Sequence, residues 1–174
     1  ATENEEITTL DGKQRVLKSS DIVITDGVKP VCIAGVMGGE NTDVDLNTKD
    51  ILIESAIFNS TSIRTTAARL NLKSEASIRY GKGLNYEYTL MALNRACNLL
   101  ERYANAKILD GVVSHDVIDK NVKKVSFKTS EVNSLLGITL TDEDVCNQLK
   151  KLDFEYEIND NIFNVVIPNR RLDI

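Results

Sequence analysis

Two Asp-Gly pairs, each lying between short apolar runs, restrict the fold of the first forty residues more than any other feature of this sequence. Asp11-Gly12 separates ITTL from RVL, and Asp26-Gly27 separates DIVI from PVCIAGV. An Asp-Gly pair in this setting is typical of a β-hairpin, because glycine readily takes the positive φ angle that the tight turn requires. We therefore predict a β-rich start with strands near residues 7–10, 14–17, 22–25 and 30–36.

Two features that follow these strands are candidate turn or binding residues. Gly38-Gly39 is expected to end the fourth strand, and such a pair is more typical of a turn with positive φ than of a ligand contact. The sequence ILIES at 51–55 predicts a further strand, in which the acid Glu54 is out of place. Taken alone, Glu54 is compatible with a salt bridge at the end of a strand as well as with a binding site.

Helical periodicity begins near residue 59 and indicates two helices in the rest of this region. Asn59 or Ser60 can cap the first helix, and Asn71 closes it. The second is predicted from 85 to 105, and we expect its apolar stripe to cover the early strands. That stripe consists of Leu90, Leu93, Ala96, Cys97, Leu100 and Ala104.

The apolar content falls and a new pattern starts near residue 119, so we predict two domains, 1–118 and 119–174. The second is expected to have the order β-α-α-β-β, with a strand at 125–128, helices at 129–136 and 141–152, and strands formed by FEYEI and FNVVI. Thr129 or Ser130 is expected to cap its first helix and Gly137 to end it. The predicted fold class is therefore α+β.

The charge of the chain argues against binding to nucleic acid through an overall positive field. The sequence has 21 basic and 26 acidic residues, a formal net charge of −5. One stretch, 64–82, has a local excess of positive charge, which is more typical of a solvated face than of a binding surface. No run reaches the roughly 18 apolar residues of a membrane span, so we expect no membrane partner.

The cysteines and the single histidine argue against several classes of site. Cys32, Cys97 and Cys146 form no Cys-x-x-Cys pair, which argues against structural zinc, and His115 alone cannot supply a histidine pair for a metal. Cysteines in apolar surroundings favour a reducing compartment, so we expect a cytoplasmic protein. Because the chain starts without methionine and stops just after PNRR, we expect it to be a segment of a longer protein.

Several runs of the sequence resemble the beta subunit of bacterial phenylalanyl-tRNA synthetases. In chain order they are LDGKQRVL, DIVITDGVKPVCIAGVMGGEN, ILIESAIFNSTSIRTTAARLNLKSEASIRYGKG, VNSLLG and IPNRRLDI. The resemblance covers nearly the whole chain. It implies that 1–118 is an editing domain, truncated at its N-terminus, which hydrolyses tyrosine wrongly attached to tRNA(Phe). It also implies that 119–174 is a small winged-helix-like domain, truncated at its C-terminus.

The same resemblance implies which residues form the editing pocket. Gly38 of GVMGGE lines the pocket, Glu54 of ILIES meets the tyrosine hydroxyl, and Ser74 and Ala76 of LKSEASIRY face the substrate. Serine at position 74 is a departure, since related sequences often have threonine there. The histidine of the pocket is expected upstream of Ala1. We therefore assign no catalytic residue in this chain and expect it to be a poor catalyst by itself.

For the intact enzyme the resemblance implies ATP and Mg²⁺ as cofactors. It also implies an alpha subunit as partner in a heterotetramer, and tRNA(Phe) and tyrosyl-tRNA as ligands. Asp173 in RRLDI resembles the first of a group of acidic magnesium ligands, the others being expected beyond Ile174. One carboxylate does not hold Mg²⁺ firmly, so we expect neither cofactor to be bound to this segment.

Two alternatives from other classes remain open on the sequence. The segment is compatible with a structural or interaction module that is inert in isolation. It is also compatible with a free-standing RNA-binding module built on the basic stretch 64–82, although the second domain has eight basic and ten acidic residues and lacks a basic face.

Overall fold

The computed structural model describes all residues 1–174 and has a mixed α+β fold, as predicted. The chain divides into two compact units, 1–110 and 111–174. This division falls within a segment, 105–123, that has no helix or strand. No helix of the structure combines the length and the apolar content needed to cross a membrane.

Both predicted hairpins are present at the start of the first unit. Strand β1 (Glu6–Thr8) pairs antiparallel with β2 (Gln14–Val16), and β3 (Val23–Thr25) pairs antiparallel with β4 (Pro30–Ile33). The glycines of the two Asp-Gly pairs take φ angles of 71° and 94°. The positive φ angle of glycine therefore allows these turns, as the sequence predicted.

The prediction for the glycine pair that follows is wrong. Strand β4 already ends at Ile33, and a turn through Gly35, with φ 63°, leads into the short strand β5 (Met37–Gly38), which pairs with β4. Neither Gly38 nor Gly39 has a positive φ. Position 39 requires glycine for another reason, since a Cβ atom there would lie 2.7 Å from the carbonyl oxygen of Val31.

The strand predicted at 51–55 does not form. No helix or strand is present between the 3-10 turn Glu40–Thr42 and residue 60. Leu52 is 99% exposed and Ile51 54% exposed. The sequence ILIES has strand propensity, but a strand also needs a neighbour to take its backbone hydrogen bonds, and this unit offers none at that place.

Three helices complete the first unit: α1 (Ser60–Arg69), α2 (Glu75–Tyr80) and α3 (Tyr88–Ala104). Asn59 caps α1 as predicted, its side chain accepting a hydrogen bond from the Ser62 amide at 3.0 Å. The core that α1 covers contains Ile7, Leu17, Ile33, Val36, Ile63 and Leu72.

Helix α3 does not cover the early strands as predicted. It is amphipathic, but none of its residues is fully buried, and Leu90 in the expected stripe is 57% exposed. No α3 residue packs against the core cluster of this unit. An apolar stripe identifies the face that favours burial, and it does not say which element will cover that face.

The second unit has the predicted order β-α-α-β-β. Its elements are β6 (Lys124–Phe127), α4 (Thr129–Leu136), α5 (Asp142–Lys151), β7 (Glu155–Asn159) and β8 (Ile162–Val166). The three strands form an antiparallel sheet in the order β6-β8-β7, and β8 supplies the fully buried Phe163.

The end of α4 is as predicted, and its beginning is not. Gly137 ends the helix with φ 68°. The N-cap is Lys128 instead of Thr129 or Ser130, and its amide donates to Oε2 of Glu131 at 2.7 Å. The hydroxyl of Thr129 instead donates to Asp142 at 2.5 Å and so links the two helices.

Candidate functional site

Ser74 connects α2 to the turn between β4 and β5. Its hydroxyl donates to the carbonyl oxygen of Val36 at 2.5 Å and accepts from the Ser77 amide at 3.0 Å, so Ser74 is the N-cap of α2. Ala76 lies in the first turn of the same helix and is half-buried. These two residues are therefore part of an ordered helix start.

Gly38 lies on β5, two residues beyond the carbonyl group to which Ser74 donates. It is half-buried and lies opposite Cys32 in the register of β4 and β5. A Cβ atom at position 38 would lie 3.1 Å from Cδ1 of Leu10, a residue that is itself 50% exposed. A side chain at this position would therefore extend toward a partly open region instead of into the core.

Glu54 lies close enough to β4 and α2 for its charge to act on both. Burial raises the pKa of the Cys32 thiol to about 11, and the Glu54 carboxylate adds to that rise. The pKa of Tyr80 is raised by burial and by the same carboxylate. The four predicted pocket residues thus belong to neighbouring parts of the first unit: strand β5, the start of α2, and the segment that precedes α1.

The environment of the Glu54 carboxylate is unusual for a largely exposed residue. The side chain as a whole is open to solvent, yet neighbouring protein atoms desolvate the carboxylate enough to raise its pKa. Desolvation favours the neutral form of an acid. No group of the chain donates a hydrogen bond to Glu54, and no cation pairs with it.

Two residues of this region were not identified from the sequence as part of it. Tyr80 lies on α2, and its hydroxyl donates to the carbonyl oxygen of Ala56 at 3.1 Å, two residues after Glu54. Cys32 was interpreted only as a buried thiol. The one sequence signal for Tyr80 is its spacing of four from Ala76, which places both on one face of a helix.

Asp173, the predicted magnesium ligand of the intact subunit, forms an ion pair within the second unit. Both of its carboxylate oxygens accept hydrogen bonds from Arg171 at 2.8 Å, which lowers its pKa to about 2. The structure contains no group of three or more carboxylate, thiol or imidazole side chains that could hold a metal ion. Asp173 as a magnesium ligand of the intact subunit therefore stays a prediction, and no step of the proposed chemistry uses the ion.

The arginines of the basic stretch 64–82 make contacts within the fold. Arg64 donates to the carbonyl oxygen of Gly81 at 3.3 Å, Arg69 pairs with the buried Asp21, and Arg79 lies 3.6 Å from Glu75. All three guanidinium groups of the stretch are thus used within the fold, whereas Lys73 and Lys82 form no ion pair. This distribution argues against the RNA-binding module that the sequence left open.

Comparison with known proteins assigns a class to each unit. A model of the B3/4 domain family matches residues 1–105, and a model of the tRNA synthetase B5 domain family matches residues 125–174. The chain thus belongs to the B3/4 domain family, and its second unit is similar to the tRNA synthetase B5 domain.

Over all 174 residues the chain is 44% identical to the phenylalanine–tRNA ligase beta subunit of one Staphylococcus aureus strain and 43% identical to that of another. This similarity over the whole chain confirms the resemblance to phenylalanine–tRNA ligase beta subunits. It spans 22% of the length of these relatives.

Proposed function

We propose that the first unit carries an editing pocket of a phenylalanine–tRNA ligase, which hydrolyses tyrosine that has been attached to tRNA(Phe) by mistake. The residues proposed to contact the substrate are Gly38, Glu54, Ser74 and Ala76. The intact enzyme would act in the cytoplasm, use ATP and Mg²⁺ for aminoacylation, and contain an alpha subunit in a heterotetramer.

The observation that carries this proposal is the state of the Glu54 carboxylate. It is partly desolvated, its pKa is raised, and no group of the chain donates a hydrogen bond to it. Partial desolvation makes ionisation of this carboxylate less favourable than in free water. Such a group is typical of a binding site in which the ligand supplies the hydrogen-bond donor.

The phenolic hydroxyl of tyrosine is a donor that Glu54 can accept from, and phenylalanine lacks it. A pocket shaped for phenylalanine rejects a ligand that merely adds a hydroxyl by only about 10²-fold. A second pocket, in which the bound substrate shields a carboxylate from water, selects in the opposite direction. Phenylalanine would leave Glu54 unpaired at a cost of about 1–3 kcal/mol, whereas tyrosine would satisfy it.

Small residues next to this carboxylate would leave room for the aminoacyl ester. Gly38 has no side chain, and Ala76 adds one methyl group to the first turn of α2. In the proposed reaction, a water oxygen bonds to the ester carbonyl carbon, and the bond from that carbon to the ribose oxygen breaks. The products are tyrosine and tRNA(Phe) with a free ribose hydroxyl, and the neighbouring ribose hydroxyl would help to position the water.

Replacing Gly38 or Ala76 with tryptophan in the complete synthetase is expected to abolish hydrolysis of tyrosyl-tRNA(Phe), because the indole ring would fill the space of the substrate. We expect the midpoint of urea unfolding to change little, since both sites are half-buried and the nearest neighbour of Gly38 is the end of the half-exposed Leu10 side chain. Deacylation rates and unfolding curves are the measurements.

The matched control is Leu135→Trp in the second unit, at a side chain that is 86% exposed. It should leave both hydrolysis and phenylalanine activation unchanged. If the Gly38 and Ala76 variants instead lose about 1–3 kcal/mol of stability, as an overpacked core does, these positions are core and the proposed pocket is misplaced.

A further inference from the structure

The segment that carries Glu54 is held in place by side chains instead of by a strand. Residues 51–58 make no strand pairing. The hydroxyl of Ser55 donates to the carbonyl oxygen of Thr89 at 2.8 Å, which fixes the segment to the first turn of α3. The hydroxyl of Tyr80 donates to the carbonyl oxygen of Ala56 at 3.1 Å, which fixes it to α2.

The Tyr80 donor is itself well fixed. Its ring packs against the core cluster of the first unit and lies 5.4 Å from the ring of Phe58, measured between centroids. A Cβ atom at Gly35 would lie only 3.2 Å from Cγ of Tyr80, so the turn between β4 and β5 also packs closely on the ring. The hydroxyl therefore presents a defined position to the segment before α1.

These two contacts are on consecutive residues, immediately after Glu54. Without ladder hydrogen bonds, the backbone of such a segment depends on side-chain contacts of this kind to restrain it. If either hydrogen bond is lost, the backbone of the segment gains conformational freedom. The Glu54 carboxylate can then move into water, which lowers its free energy.

We propose that Tyr80 and Ser55 are positioning residues that hold the Glu54 carboxylate beside β4 and thereby set the preference of the pocket for tyrosine. The second half of this inference rests on the proposed function, and the first half does not. Neither residue is proposed to touch the substrate.

The first half is testable on the 174-residue chain with Cys32 as a reporter. In a background of Cys97→Ala and Cys146→Ala, Cys32 is the one remaining thiol. Its rate of alkylation by iodoacetamide, followed over roughly pH 8 to 10, reports how much thiolate is present. Because the Glu54 charge adds to the raised pKa of Cys32, Glu54→Gln should increase the rate at each pH.

Tyr80→Phe and Ser55→Ala should each move the alkylation rate part of the way toward that of Glu54→Gln. Neither should move it further when Glu54 is already glutamine, since they act through its carboxylate. Tyr103→Phe removes the hydroxyl of a tyrosine that is 72% exposed and should have no effect. The inference is overturned if Glu54→Gln changes the alkylation rate while Tyr80→Phe and Ser55→Ala do not, or if none of these three variants changes it. It is also overturned if the effect of Tyr80→Phe or Ser55→Ala simply adds to that of Glu54→Gln.

The second half is testable in the complete synthetase. We expect Tyr80→Phe and Ser55→Ala to raise KM for tyrosyl-tRNA(Phe) by about 3- to 10-fold, the range of one lost hydrogen bond, with kcat nearly unchanged. A KM that stays at the wild-type value in these variants while Glu54→Gln raises it would overturn the positioning role alone. A KM that Glu54→Gln also fails to change would overturn the proposed function, whereas the alkylation result would still stand.

Discussion

Replacing Asp21 with alanine should lower the free energy of unfolding of the first unit by about 3 kcal/mol. Asp21 is 3% exposed, and its carboxylate accepts hydrogen bonds from the Thr66 hydroxyl at 2.8 Å, the Lys18 amide at 2.9 Å and the Arg69 guanidinium. Removing one partner of a buried pair costs about 3–5 kcal/mol, because the other groups are left without a partner. The lower end of that range applies here, since the Arg69 side chain is 29% exposed and can be hydrated.

The measurement is urea unfolding followed by circular dichroism. Asp50→Ala is the matched control, since Asp50 is exposed and no hydrogen bond or ion pair involves it. It should change stability by less than about 0.5 kcal/mol. A loss of under about 1 kcal/mol for Asp21→Ala would mean that this network does not hold α1 to the hairpins.

The Phe163→Ala variant should leave the second unit largely unfolded. Phe163 is fully buried on the central strand β8, and its ring stacks on Phe127 with centroids 5.4 Å apart and approaches Tyr156 at 6.1 Å. Truncating such a ring costs about 3–5 kcal/mol. A unit of this size has little stability in reserve, so that loss is enough to shift its folding equilibrium.

The loss would be seen as the disappearance of dispersed amide resonances from residues 124–167 in a ¹H–¹⁵N spectrum. Leu135→Ala, at a side chain that is 86% exposed, should leave those resonances in place. If Phe163→Ala retains them, the core of the second unit is more tolerant than the packing of these rings indicates.

Local signals in the sequence were sufficient for several elements. The two Asp-Gly turns depend on the conformation of one glycine each, and both are confirmed by positive φ angles. Helix α4 spans 129–136 as predicted because its stop signal, Gly137, directly follows it. In each case the cause lies within a few residues of its effect.

Other predictions failed because the deciding contact is distant in the chain. The segment 51–55 has strand propensity, but its outcome depends on whether another strand lies beside it. The turn that ends the predicted fourth strand occurs at Gly35, where Phe58, Ile63 and Tyr80 approach closely. No sequence pattern near Gly38-Gly39 indicates that packing. Sequence periodicity likewise could not show that α3 would remain outside the core.

In the candidate site, too, local features could be predicted and contacts between distant residues could not. The choice of Glu54 came from its odd place in an apolar run and from the family resemblance, and the structure adds that its carboxylate is desolvated. The contacts that hold the Glu54 segment could not be predicted from the sequence. Tyr80 and Ala56 are 24 residues apart, and Ser55 and Thr89 are 34 residues apart.

The central claim is that Glu54 selects tyrosine through its hydroxyl, and its most direct test is the ratio of kcat/KM for hydrolysis of tyrosyl-tRNA(Phe) and phenylalanyl-tRNA(Phe). The test compares the complete synthetase with its Glu54→Gln and Glu54→Ala variants, and phenylalanine activation serves as the control. We expect the ratio to fall by about 10-fold or more in both variants, the effect of losing a hydrogen bond to a charged group, with activation unchanged. A ratio that stays at the wild-type value would contradict the claim that this carboxylate recognises tyrosine.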